Sequence, residues 1–108
     1  MNTVAIDWDD TLVGSSKHPK GRWLPGAPAA LLGLRRARYE LVIHSCRAGW
    51  PEGRDEIAAM LATIGFRGGE LRIEPKPEAL CYVDDRAIPF TGDWTTALKQ
   101  IRALEAKR

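Results

Sequence analysis

The sequence predicts an α/β domain built on a small parallel sheet, and three observations carry the prediction. Short apolar or β-branched runs of strand type recur at residues 3–6, 41–43, 71–73 and 80–83. Between them lie segments whose apolar residues return at helical spacing. Three of the strand runs end abruptly in polar residues: Asp7, followed by Asp9 and Asp10; Ser45, after His44; and the pair Asp84 and Asp85. Alternation of strands and helices implies a parallel sheet with helices on its faces, in which ligands bind beyond the carboxyl ends of the strands.

The first strand, 3–6, is short and ends at Asp7. Residues 14–25, GSSKHPKGRWLP, are rich in Gly, Pro, Ser and basic residues and read as a loop. Pro28 opens a helix, because its fixed φ and missing N–H suit a first turn. Its apolar stripe is Ala30, Leu31, Leu34 and Ala37. The second strand, 41–43, runs into His44 and Ser45. Pro51, Glu52, Asp55 and Glu56 then place a proline and acids at the start of a second helix, where negative charge meets the positive end of the helix dipole. Ile57, Met60, Leu61 and Ile64 form its inner stripe, and Gly65 ends it. A short third strand at 71–73 and a fourth at 80–83 follow, the latter stopped by Asp84. Asp93 caps a last helix that turns Trp94, Leu98, Ile101 and Leu104 inward.

The 108 residues suit one domain spanning 1–108, and 44% hydrophobic residues support a real core. A net charge of +2 falls short of the strongly basic balance of a dedicated nucleic-acid binder. No apolar run approaches the roughly 18 residues of a membrane span. The start, MNTVAIDWDD, lacks a basic stretch and turns acidic at Asp7, unlike a signal peptide. Cys46 and Cys81 are too few for a disulfide framework, so a reduced cytoplasmic protein is expected. No glycine precedes a lysine, which excludes a Walker-type phosphate loop, and no G-x-S-x-G elbow occurs. Glu52 stands where a cysteine phosphatase built on Cys46 would need arginine. His18, His44, Cys46 and Cys81 lack the paired spacing of a zinc site.

The acidic residues point to chemistry. Asp7 and Asp9 are two apart at a strand end, so strand periodicity turns both side chains the same way. With Asp84 and Asp85 beside them, four carboxylates would share one site. Like charges that close raise one another's pKa and oppose folding. A hard cation relieves this, and Mg²⁺ takes one or two carboxylates together with waters and phosphate oxygens. Asp7, Asp9, Asp84 and Asp85 are therefore the expected metal residues. As ordinary turn residues the same aspartates would need no metal.

VAIDWDDTLV resembles the first motif of the haloacid dehalogenase superfamily, an apolar strand followed by D-x-D-x-T. LVIHS is similar to its second motif, Lys76 in EPKPEAL to its third, and YVDD to its fourth, in the family's order. The first motif is specific; the others gain weight from their order. Asp10 stands where many members have glycine. The resemblance implies a three-layer, Rossmann-like α/β fold, a Mg²⁺ cofactor and phosphomonoester hydrolysis. It implies Asp7 as the nucleophile that becomes an aspartyl-phosphate and Asp9 as acid and base. Ser45 would bind a phosphoryl oxygen, and Lys76 would stabilise the negative charge. Asp84 would hold Mg²⁺ with Asp7 and the carbonyl of Asp9, while Asp85 would bind through water or orient Lys76. The retained Asp9 favours phosphohydrolase over dehalogenase. The intervals between motifs are consumed by core elements, which implies a capless member with an open site.

The remaining residues leave alternatives open. Lys17, His18, Lys20 and Arg22 follow the first motif, where they would hold a substrate phosphate, line a nucleic-acid backbone or stay solvated. Arg47 would fork onto a phosphate or pair with Asp85 or Glu52. His44 is expected to pack, and Cys46 to stand by. Trp8, Trp23, Trp50 and Trp94 would fill the core, an oligomer contact or, for Trp23 and Trp50, stack a base. The resemblance implies a phosphorylated substrate, a small molecule or a nucleic-acid end, and no membrane partner is expected. A homo-oligomer and a catalytically silent binding module are the other outcomes considered.

Overall fold

In a computed structural model, which describes residues 2–107, the chain forms a three-stranded parallel sheet with helices packed on it. β1 is Thr3–Ile6, β2 is Glu40–Ser45 and β3 is Arg72–Pro75, in spatial order β1-β2-β3. Val4 stands opposite Leu41, and Ile43 opposite Ile73. α1 (Ala27–Arg36) joins β1 to β2, α2 (Pro51–Ala62) leads from β2 toward β3, and α3 (Trp94–Ala106) closes the chain.

The helices start where their sequence says they should. Pro28 and Pro51 occupy first turns, whose N–H groups have no helical partner in any case. Asp93 caps α3, its carboxylate accepting from the backbone N–H of Thr95 at 3.0 Å and the hydroxyl of Thr96 at 2.7 Å. Leu31 and Leu34 of α1, Ile57 and Leu61 of α2, and Trp94 and Ala97 of α3 enter one buried cluster with Ile6, Leu41 and Ile43 of the sheet. Leu41 and Ile43 alternate with Val42, as strand periodicity requires. Among the described residues no helix is long and apolar enough to cross a membrane.

Several points differ from the sequence reading, and Leu104, expected to turn inward, is exposed. Ala37 falls at the cap of α1, and Ala27 takes its place in the core. β3 lies slightly later than expected, ending at Pro75, because its pairing follows β2 as far as Ser45. The fourth strand is absent: residues 80–83 are irregular, and Leu80 and Val83 are 103% and 98% exposed. A strand is stabilised by a neighbour's backbone, and this run has none. Within it, the Tyr82 hydroxyl donates to the carbonyl of Pro77 at 2.5 Å, and the Tyr82 ring lies against Lys76. A cavity of about 1060 Å³ opens between β1, α3 and the irregular stretch from Tyr82 to Phe90.

Candidate functional site

The carboxyl edge of the sheet gathers three of the expected residues. Asp7 follows β1, Ser45 ends β2, and Lys76 follows β3. The backbone N–H of Lys76 donates to the carbonyl of Ser45 at 3.2 Å, which continues the parallel pairing by one residue and fixes where the lysine leaves the sheet. Its Nζ lies 3.6 Å from Asp7 Oδ1. Thr11 donates from its hydroxyl to Asp7 Oδ2 at 3.3 Å. The Lys76 side chain is 16% exposed and the Asp7 carboxylate 38%, so the cation is sheltered and the carboxylate open. The Tyr82 ring lies 4.2 Å from Nζ on another side, so Lys76 is held between an anion and an aromatic face. Ser45 is buried, and its Oγ accepts from the N–H of Arg47 at 3.2 Å, capping the short 3₁₀ turn Cys46–Gly49.

Asp9 is gripped by Arg47. Nη2 donates to Oδ1 at 2.6 Å and Nε to Oδ2 at 3.3 Å, while Nη1 reaches Glu56 at 2.9 Å. Hydrogen bonding to Asp9, opposed by burial and helped by the charges of Asp9 and Glu56, strengthens the guanidinium's hold on its proton. The Arg47 fork engages carboxylates of this chain, and they are Asp9 and Glu56 rather than Asp85 or Glu52. Glycine at position 53 makes this possible. A Cβ there would lie 1.9 Å from the carbonyl oxygen of Arg47, so α2 approaches the 3₁₀ turn only because Gly53 has none.

Asp10 organises the loop after the first motif. Its backbone is left-handed (φ 59°), a conformation that Asp tolerates better than most residues. Its carboxylate accepts from the backbone N–H groups of Ser15, Ser16, Lys17 and His18 at 2.9–3.2 Å and from the Ser16 hydroxyl at 3.0 Å. Burial pushes this carboxyl upward, but the bonds from Ser15, Ser16 and Lys17 outweigh it and hold it well below the ordinary aspartate range. Single-residue bridges Val13–Trp23 and Gly14–Lys20 close the loop into a flap. Trp23 packs edge-to-face on buried Trp8 with centroids 5.5 Å apart, so it serves the flap's packing. Asp7, Asp9, Asp10, Thr11, Lys17 and His18 line a pocket of about 410 Å³, with Phe90, Thr91 and Gly92 on its far wall.

The expected cluster of four carboxylates is not assembled. Asp84 and Asp85 lie on the exposed irregular stretch, because the strand that would carry them to the sheet edge does not form. Asp84 lines the large cavity together with Asp7, yet its Oδ1 accepts from its own loop, from the N–H of Arg86 at 2.8 Å. Among the described residues, no three His, Cys, Asp or Glu side chains are grouped to hold a metal ion. The donors as arranged do not form a ready-made Mg²⁺ site. Asp7 is the one acidic residue that lines both cavities.

Sequence reasoning passed over three contributors. Asp10 looked like a tolerated variation in the motif, Tyr82 like strand interior, and Trp94 like core. Trp94 is buried, but its Nε1 also donates to the carbonyl of Thr11 at 2.8 Å, tying α3 to the loop that carries Asp9 and Thr11. His44 lines the large cavity, and Cys46 Sγ lies 3.9 Å from the Tyr82 hydroxyl. Trp50 is half exposed and Lys20 and Arg22 are exposed, all three outside both cavities. In comparisons with known proteins, no family model, no curated protein and no solved structure matches this chain.

Proposed function

We propose that the chain is a phosphomonoesterase of the haloacid dehalogenase type, with a three-layer fold and no cap, working through Asp7. The observation that carries the reading is the Lys76–Asp7 pair at 3.6 Å on the carboxyl edge of a parallel sheet. An open carboxylate beside a sheltered ammonium suits attack on a phosphate, because the cation offsets charge on both the nucleophile and the phosphoryl oxygens. Asp7 attacks phosphorus, the bond to the alcohol oxygen breaks, and Asp9 gives that oxygen a proton. Water then attacks the aspartyl-phosphate, Asp9 takes its proton, and inorganic phosphate and free Asp7 result. The grip of Arg47 orients Asp9 between these steps. Mg²⁺ is the cofactor this reading expects: Asp7 would hold it together with phosphate oxygens, and it would neutralise phosphoryl charge.

The test is trapping. An Asp9→Asn protein incubated with an activated aryl phosphate accumulates phosphate on the peptide containing Asp7, read by mass spectrometry, because transfer to Asp7 outruns hydrolysis. Phosphate on no residue, together with no turnover by the unaltered protein on any phosphomonoester, leaves a silent binding module.

A further inference from the structure

The charge arrangement around the smaller pocket says more than the presence of acids. Three carboxylates line it, and each is already answered: Asp7 by Lys76, Asp9 by Arg47, and Asp10 by four backbone N–H groups and a hydroxyl. The basic side chains of the flap divide differently. Lys17 and His18 line the pocket; Lys20 and Arg22 do not. Among the described residues, no carboxylate stands within ion-pair distance of the Lys17 ammonium, whereas His18 Nδ1 lies 3.4 Å from Asp10. A pocket with satisfied anions and one unanswered cation on its rim is electrostatically incomplete.

The cation is not there by loop accident. Asp10 binds the N–H groups of Lys17 and His18 themselves, at 3.1 and 3.2 Å, so the backbone that carries both side chains is pinned to the residue next to Asp9. The facing wall is held too, since Phe90 packs on Trp94 with centroids 5.2 Å apart and Trp94 is bonded to Thr11. The pocket thus has two held sides, the flap with Lys17 and the stretch with Phe90.

We propose that Lys17 is the anchor of a second anion subsite, so that the preferred substrate carries a phosphate or phosphodiester beside the phosphomonoester that Asp7 attacks. The inference rests on the phosphomonoesterase reading for its substrate but not for its binding test. Asp10 is the positioning residue of this subsite: it acts through the flap backbone. Small bisphosphates and phosphorylated oligonucleotide ends share the required chemistry.

Binding is measured by calorimetry on an Asp7→Asn protein, which removes turnover, using adenosine 5′-monophosphate, adenosine 3′,5′-bisphosphate and a 3′-phosphorylated dinucleotide. A second phosphate is expected to tighten binding about tenfold, the worth of one charge-assisted contact at a partly exposed site. Lys17→Met removes that preference. Lys20→Met with Arg22→Met retains it. Asp10→Asn lowers it while Lys17 is still present, the signature of positioning rather than contact. The dinucleotide arm assigns the source: tighter binding than the bisphosphate indicates a nucleic-acid end, weaker binding a small metabolite. Equal affinity for mono- and bisphosphate, or a preference that survives loss of Lys17, overturns the subsite. Turnover of p-nitrophenyl phosphate by the unaltered protein tests the phosphatase reading separately, since that ester has no second anion.

Discussion

Replacing Asp10 with alanine should destabilise the protein far more than a surface aspartate in a loop would. Five hydrogen bonds end on this carboxylate, four of them from consecutive backbone N–H groups. Bonds to a charged acceptor contribute about 1.5–3 kcal/mol each when isolated, but these are partly exposed and shared, so about 2 kcal/mol for the set is the appropriate scale. Alanine also tolerates the left-handed backbone at φ 59° less well than aspartate, adding about 1 kcal/mol. A total near 3 kcal/mol lowers the melting temperature by about 12 °C or more for a domain of this size. The effect depends on pH. The folded-state pKa of Asp10 lies below its unfolded value, so the stabilisation is fully present above about pH 4, the ordinary aspartate range, and is lost as pH falls toward the depressed folded value. Melts of both proteins by circular dichroism at pH 7 and pH 3 should show the full gap at pH 7 and a smaller one at pH 3. A gap of a degree or two at pH 7 would refute the claim that Asp10 anchors the flap.

Gly53→Ala should cost about 1–3 kcal/mol, as overpacking does, because its methyl meets the Arg47 carbonyl at 1.9 Å; a thermal melt like that of the unaltered protein would refute the close approach. Tyr82→Phe should retain activity while Tyr82→Ala lowers kcat with little change in stability, because a contact to an exposed ring adds little stability but helps hold Lys76. Equal kcat in the two variants would remove that role. Arg47→Met should raise the fraction of trapped phosphoryl-protein during turnover, since Asp9 loses its orienting partner for the hydrolysis step; an unchanged fraction would mean the pair at 2.6 Å is only structural.

What could be read from the sequence was what is encoded locally. Pro28, Pro51 and Asp93 sit in first turns or at a cap, where their chemistry acts within a few residues, and all three mark helix starts in the structure. The parallel sheet followed from apolar runs in β1 and β2 that end in polar residues. The run at 80–83 has the same local look, but a strand depends on a neighbour's backbone, which composition does not reveal. Misreading it also misplaced Asp84 and Asp85, and with them the acidic cluster. The Lys76–Asp7 pair was anticipated by motif resemblance alone; nothing in spacing brings residues so distant in sequence together. For Arg47 a phosphate or an acid was expected, with Asp85 or Glu52 as the acid, and the acids beside it are Asp9 and Glu56, which no sequence spacing singles out. Asp10 was hidden because a carboxylate that binds backbone amides looks, in sequence, like any turn aspartate.

The account turns on Asp7. The most direct measurement is the steady-state hydrolysis of p-nitrophenyl phosphate in the presence of Mg²⁺ by the unaltered protein and by Asp7→Asn, with matched circular dichroism to show that both are folded. The amide cannot attack phosphorus, so the rate should fall more than about a thousandfold, to background, as loss of a nucleophile does. Turnover by Asp7→Asn at the rate of the unaltered protein would contradict the central claim.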